Sequence, residues 1–183
     1  MNDYKVNGID IRKLKEFSKK VSENKTEGVT QFNVHTEWLG GTASVTKVQE
    51  WKLGNQRYSR DFNILIDEPK ELLGENLAAN PQEFLMAAFN ACVAVGYVIQ
   101  AAVENIQLTK LEIITGGEID LRGFLGIDSN VASGYEQIHS KVKISSNGTK
   151  EQIEKMHETV IQTSPNYWNI LNAVGINIDL MIE

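Results

Sequence analysis

A single cysteine, Cys92, is all that the 183-residue chain contains, so no intrachain disulfide can form. That excludes a disulfide-stapled scaffold and fits a reducing compartment. Histidine is nearly as scarce. His35, His139 and His157 do not make an H-x-x-x-H pair, and no C-x-x-C occurs. Neither a metal nor a cofactor is therefore expected. Glycine never falls in phosphate-cradling order, because Gly40-Gly41 and Gly116-Gly117 lack the required flanks. There is no G-x-S-x-G elbow. The opening stretch MNDYKVNGIDIRKLKEF has no apolar h-region, so a cytoplasmic protein is expected. A net charge of -6 argues against a nucleic-acid partner. With 42% hydrophobic and 23% charged residues the mixture is that of a globular chain, and one domain over 1–183 is expected.

What is present reads as alternating helices and strands. Residues 8–23 carry Ile11, Leu14, Phe17 and Val21 at helical spacing, with Lys13, Lys15, Lys19 and Lys20 around them. A basic amphipathic helix can lie on a membrane. Packing on its own domain is the preferred reading, because Asp10, Glu16 and Glu23 dilute the charge, and no membrane partner is expected. Residues 29–66 are rich in β-branched and aromatic side chains. VTQFNVHTEW and TASVTKVQEWKL read as two strands about a turn at Leu39-Gly40-Gly41, and DFNILI (61–66) as a third. A polar loop follows to residue 80.

The next segment, NPQEFLMAAFNACVAVGYVIQAAVEN, has a marked start. Asn80 suits the N-cap, Pro81 the first helical position, and Glu83 completes a capping box. Phe84 to Val103 is apolar enough to span a membrane. Asn90 and Gln100 interrupt it and no basic cluster flanks it, so a helix buried on all sides is preferred. Ala88, Cys92 and Gly96 form a stripe of small residues that admits another backbone, a second copy of this helix being one candidate. LEIITGGEIDLRG and YEQIHSKVKISS then read as strands joined by FLGIDSNVASG. Thr149 and Gln152 make a second capping box, opening a helix to about residue 162 with Ile153, Met156, Val160 and Ile161 inward. Ser164-Pro165 breaks it and starts a further helical turn, and INIDLMI closes the chain as a strand. The order α-βββ-α-ββ-α-β favours an α+β fold with mainly antiparallel sheets around the long central helix.

Cys92 is the one nucleophile with a case to answer. A buried cysteine in an apolar helix is most often inert. Activation needs a cation or a helix N-terminus beside the sulfur, and Cys92 lies three turns into its helix. Arg57, Arg60 and Arg122 are the candidate cations.

Asn80-Pro81-Gln82-Glu83-Phe84-Leu85 followed by Ala87-Ala88-Phe89-Asn90-Ala91-Cys92 resembles the cysteine-bearing central helix of the OsmC-like family. FNILIDEP with Leu73-Gly74, GEIDLRGFLGID, Gly134-Tyr135-Glu136 and Ser164-Pro165 agree in order. The resemblance runs from about residue 30 onward, leaving 1–27 as a helical extension. It implies an intertwined homodimer with sites at the subunit interface. It also implies thiol-dependent reduction of organic hydroperoxides, an oxidative stress function in which the central cysteine becomes a sulfenic acid and a second cysteine resolves it. Here Cys92 stands at the peroxidatic position, and Ser164 replaces the resolving cysteine. Gln82 occupies the place of one branch's glutamate, with Glu83 next to it, and Arg60 corresponds to another branch's arginine. Resolution would then fall to an external thiol. Phe84, Phe89, Tyr97 and Trp168 would wall an apolar substrate pocket, with Ser164 at its polar end. The alternative is a non-catalytic dimer that binds a small hydrophobic molecule, with Cys92 structural or redox-sensing.

Overall fold

The computed structural model describes residues 4–182. The chain forms two compact units, one made of residues 10–87 with 4 and 5, the other of residues 88–182 with 6–9.

In the first unit, α1 (Ile11–Glu23) starts at Asp10, whose carboxylate accepts from the main-chain N–H groups of Arg12 and Lys13. The preceding residues do not belong to the helix, although the sequence reading extends it to residue 8. They form a two-residue-per-strand hairpin, β1 (Lys5–Val6) and β2 (Ile9–Asp10), turned by Asn7 at φ 52 and Gly8 at φ 83. Asn-Gly is the strongest short hairpin signal because both residues tolerate the left-handed region.

A sheet follows. β5 (Ala43–Leu53) is its hub. One edge pairs antiparallel with β6 (Gln56–Ile66), the other with β3 (Thr30–Phe32) and β4 (His35–Gly40) in tandem. The stretch read from sequence as one strand over 29–38 is thus interrupted at Asn33-Val34, where β5 contributes one residue more than its partner. β6 begins at Gln56 rather than at residue 61, because Gly54, at φ 57, turns the chain directly back. The turn expected at Gly40-Gly41 is present, with both glycines at positive φ. Phe32, Trp51 and Tyr58 are register neighbours and stack, with centroids 5.7 and 4.8 Å apart. Glu37–Lys47 and Glu50–Arg57 ion pairs also cross between strands. Asp67 is buried after β6. It accepts from the Thr42 hydroxyl at 2.6 Å and from the N–H groups of Glu75 and Leu77, which fastens the 67–77 loop to the β4–β5 turn. These donors, Thr42 first, hold its carboxyl below the usual value.

The second unit packs helices on a two-stranded antiparallel sheet, β7 (Leu108–Gly117) with β8 (Ile138–Ser146). The helices are α2 (Pro81–Val103), which enters from the first unit, α4 (Lys150–Thr163) and α5 (Pro165–Leu171); α3 (Leu121–Phe124) is a single turn in the β7–β8 connection. Phe89, Val93, Tyr97 and Ala101 of α2, Ile106, and Met156 and Val160 of α4 form the core, with Leu111, Ile113, Val142 and Ile144 of the sheet against it. The tip of the β1–β2 hairpin docks here: the Asn7 amide donates to the Ile106 carbonyl and accepts from Leu108 N–H.

Two expectations are corrected. α2 is not buried on all sides. Sheet and α4 cover one face, whereas Val95 and Val103 are 62% and 58% exposed. Nor does INIDLMI form a strand. Among the described residues no sheet edge receives it, and Ile176, Ile178, Leu180 and Ile182 stand exposed.

Candidate active site

The local sequence fixes how α2 begins. The Asn80 side chain accepts from Glu83 N–H at 2.9 Å, and the Glu83 carboxylate accepts from Asn80 N–H at 2.8 Å. This reciprocal pair satisfies two of the helix's orphan donors. Glu83 is therefore committed to the cap, and Gln82 is exposed beside it. Cys92 lies nine residues, or two and a half turns, further along.

Three consecutive turns of α2 carry the small residues Ala88, Cys92 and Gly96. Within the chain, the backbone they admit is the α4–α5 junction of the same unit. Asn166 donates its amide to the Ala88 carbonyl at 2.9 Å. A Cβ on Gly96 would lie 3.0 Å from Val160 Cγ1. Between these two contacts Ser164 meets Cys92, its hydroxyl donating to Sγ at 3.6 Å. Larger residues on the stripe would push α4 and α5 away and separate the pair.

Ser164 is held in orientation. It is 4% exposed and caps α5, accepting the Tyr167 N–H at 3.4 Å. With that lone pair occupied, its proton is directed at the sulfur. Cys92 itself is half-buried and free. A hydrogen-bond donor beside a sulfur stabilises the charged thiolate more than the thiol, since bonds to charged acceptors are the stronger.

The other sequence-selected residues fall in several places. Phe89 is buried, packs against Tyr167 with ring centroids 6.5 Å apart, and lines a cavity of about 570 Å³ whose wall also carries Glu136, Gln137, Ser140 and His157. Val93, Val142, Ile161 and Leu171 share that wall, and Cys92 is not part of it. Phe84 is half-buried on the first turn of α2, and Trp168 is 56% exposed. Tyr97 is not a pocket wall. It has no exposed surface, its hydroxyl bonds Nδ1 of His157, and burial pushes its phenol up to about 12. This pair, 60 residues apart, has no local signature in the sequence.

The three candidate arginines are distinguished by their carboxylate neighbours. Arg57 faces Glu50 at 3.4 Å. Arg122 forks onto both oxygens of Asp120, which holds that carboxyl down at about 2. Among the described residues Arg60 has no carboxylate within salt-bridge reach, and its guanidinium stands 5.1 Å from the centroid of the Trp51 ring in the first unit. Arg122 is the only arginine in the sequence of the unit that carries Cys92. Within that unit the polar group at the sulfur is Ser164. Among the described residues no three His, Cys, Asp or Glu side chains gather as a metal site.

A family profile described as OsmC-like protein matches residues 74–180. Among solved structures, an OsmC-like protein from Mycoplasma pneumoniae is similar at a TM-score of 0.61 and 15% identity, covering 77% of this chain and 87% of the other. A candidate osmotic stress induced and detoxification response protein from Psychrobacter arcticus 273-4 is similar at 0.57 and 12% identity, with coverages of 75% and 86%. An organic hydroperoxide resistance protein OsmC from Legionella pneumophila reaches 0.48 at 16% identity, with coverages of 76% and 89%. Among curated proteins none matches the chain in sequence. The mixed α+β architecture with antiparallel sheets is that of OsmC-like structures.

Proposed function

The chain belongs to the OsmC-like family, and on that footing we propose that it is a cytoplasmic one-cysteine thiol peroxidase for organic hydroperoxides, with Cys92 as the nucleophile. The observation that carries the reading is the Ser164 hydroxyl, buried, oriented and donating to the Cys92 sulfur. It stands where the resemblance places a resolving cysteine, and it supplies a donor to the thiolate instead of a second thiol.

The Cys92 thiolate attacks the distal oxygen of ROOH, the O–O bond breaks, and a proton completes the alcohol ROH as sulfur becomes a sulfenic acid. An external thiol condenses with the sulfenic acid, forming a mixed disulfide and releasing water. A second external thiol then attacks the disulfide, freeing Cys92 and leaving with the first as an oxidised pair. Arg60 is the arginine assigned to the thiolate, since it alone of the three candidates has no carboxylate neighbour among the described residues. Glu83 acts as the helix cap, not as a proton carrier.

The working form is a homodimer of one OsmC-like domain per chain, with the first 27 residues as an extension. Support comes from apolar surface that one chain leaves uncovered: Phe32, Trp38 and Phe62 of the sheet, Val95 and Val103 of α2, and the alternating Ile176, Ile178, Leu180 and Ile182 of the tail. Patches of this extent mark interfaces.

The test is reduction of cumene hydroperoxide with dithiothreitol, with dimedone trapping of the sulfenic acid. Turnover with a dimedone adduct on Cys92, abolished by Cys92→Ser and lowered by Arg60→Met, is the expected result. Absence of both turnover and adduct sinks the peroxidase. A second reading, a binding protein for a small hydrophobic molecule, is favoured by the cavity of about 570 Å³, which lies within a single unit and does not include the thiol in its wall. In that case Phe89→Ala weakens ligand binding and Cys92→Ser leaves it unchanged.

A further inference from the structure

The sequence reading prefers to pack the N-terminal helix on its own domain, yet the structure buries none of its residues. Phe17 is 45% exposed, and the 3-10 turn at Lys25–Gly28 reaches only the far end, where Gly28 closes on Val21 and Glu27 pairs with Lys20 at 2.7 Å. A 13-residue helix thus runs about 20 Å at 1.5 Å per residue, with an apolar side that the chain covers only in part: Ile11 and Leu14 are half-buried, Phe17 is exposed, and Val21 meets Gly28.

The arrangement of charge around that side is specific. At 3.6 residues per turn, Ile11, Leu14, Phe17 and Val21 fall together. Lys13 and Lys20 border them on one flank and Lys15 on the other. Glu16 and Glu23 fall on the opposite pole, together with Arg12 and Lys19, and Lys19 is within 3.7 Å of Glu23. Lysines at the border can lay their methylene stems along an apolar surface and hold the ammonium groups at its polar margin. Acids at the far pole stay clear of that margin. The helix carries five cationic and two anionic side chains, a net +3, in a chain whose total is -6. An acidic protein is repelled by anionic surfaces in general, so a local excess of this sign, set around an apolar stripe, selects a partner that is both apolar and anionic.

We infer that α1 is an interfacial helix that seats the protein on an anionic bilayer, with Ile11, Leu14 and Phe17 at the acyl boundary and Lys13 and Lys15 among the headgroups. This is peripheral binding through a surface helix, and it is separate from α2, one face of which belongs to the core. It does not depend on the peroxidase reading: the docking face lies wholly in α1, outside the residues that match the family.

The experiment is co-sedimentation of the full chain with vesicles of phosphatidylcholine alone and of phosphatidylcholine with one-quarter phosphatidylglycerol. Pelleting is expected with the anionic vesicles and not with the neutral ones, and it should fade as salt is raised. Each lysine near an anionic surface contributes to binding, so Lys13→Glu with Lys15→Glu should lower the bound-to-free ratio at least ~10-fold. Phe17→Glu should abolish pelleting. Glu16→Gln with Glu23→Gln, on the far pole, should keep or raise it. All these positions are surface positions, and circular dichroism checks that each variant stays folded. No pelleting with anionic vesicles, equal pelleting with neutral ones, or an unaltered Phe17→Glu variant overturns the inference. So does a fall in the chain's mass by sedimentation equilibrium on Phe17→Glu without vesicle binding, which would assign the stripe to a second copy.

Discussion

Ser164→Ala removes two interactions of known geometry. The alanine cannot donate to Cys92 Sγ, which the native hydroxyl does at 3.6 Å, and cannot accept the Tyr167 N–H at the start of α5. Loss of a helix N-cap costs about 1 kcal/mol, which for a chain of this size lowers the melting temperature by roughly 3 °C. Loss of a hydrogen bond to a charged acceptor costs about 1.5 kcal/mol, close to a factor of ten. Only part of that factor reaches the rate, because a sulfur nucleophile that is less stabilised is also more reactive, at a slope near one half. The expected net change is an approximately threefold slower alkylation by iodoacetamide at neutral pH. Stopped alkylation followed by mass spectrometry at neutral pH reads the rate. Ser164→Thr keeps the hydroxyl and should stay within about twofold of the native rate. If Ser164→Ala keeps its fold and its neutral-pH rate matches the native protein, the hydroxyl does not act on the sulfur and the central argument for the peroxidase fails.

Ser164→Cys places a second sulfur against Cys92. Mild oxidation should close a disulfide, read as a loss of 2 Da, and a loop spanning 72 positions adds on the order of 4 kcal/mol in the chain-entropy account; absence of the bond under oxidant would mean the two side chains do not face each other. Tyr97 is fully buried with its phenol pushed up to about 12 by desolvation, so its contribution to stability is complete below pH 10 and is lost between about 10 and 12. Tyrosine absorbance should show a late, unfolding-linked step in that window, and Tyr97→Phe should remove it while costing about 1 kcal/mol for the bond to His157. Asp67 is held below 3.8 chiefly by the Thr42 hydroxyl. Its contribution is present above that value and disappears as pH falls through the lower folded value, so acid unfolding of Asp67→Asn should have a shallower onset, measured by fluorescence at decreasing pH.

The parts of the fold legible in the sequence are those specified by residues a few positions apart. α2 starts at Pro81 because Asn80 and Glu83 satisfy each other's main-chain donors, and α4 starts at Lys150 because Thr149 and Gln152 do the same. The sheet was legible in composition but not in its breaks. β-branched and aromatic residues run across Asn33-Val34 and across Gly54-Asn55 alike, yet only the second is a reversal, since Gly54 takes the positive φ there. Asn7-Gly8 carried a hairpin signal that the helical periodicity beginning nearby obscured.

The site divides along the same line. That Ala88, Cys92 and Gly96 admit a close neighbour follows from their size and spacing. Which neighbour arrives depends on α4 and α5, more than 60 residues away, and no local pattern encodes it. Tyr97 and His157 meet for the same nonlocal reason. The closing segment shows the converse. INIDLMI alternates as a strand should, but alternation states only that one face wants burial. A strand also needs an edge whose N–H and C=O groups are unpaired, and among the described residues of one chain none receives it. Its apolar residues and the bare face of α2 therefore make the same demand, for surface that a single chain does not supply. Sedimentation equilibrium would answer it: removal of residues 176–182 should shift the full-length mass toward that of one chain if the tail is covered by a partner, and should leave it unchanged if it is not.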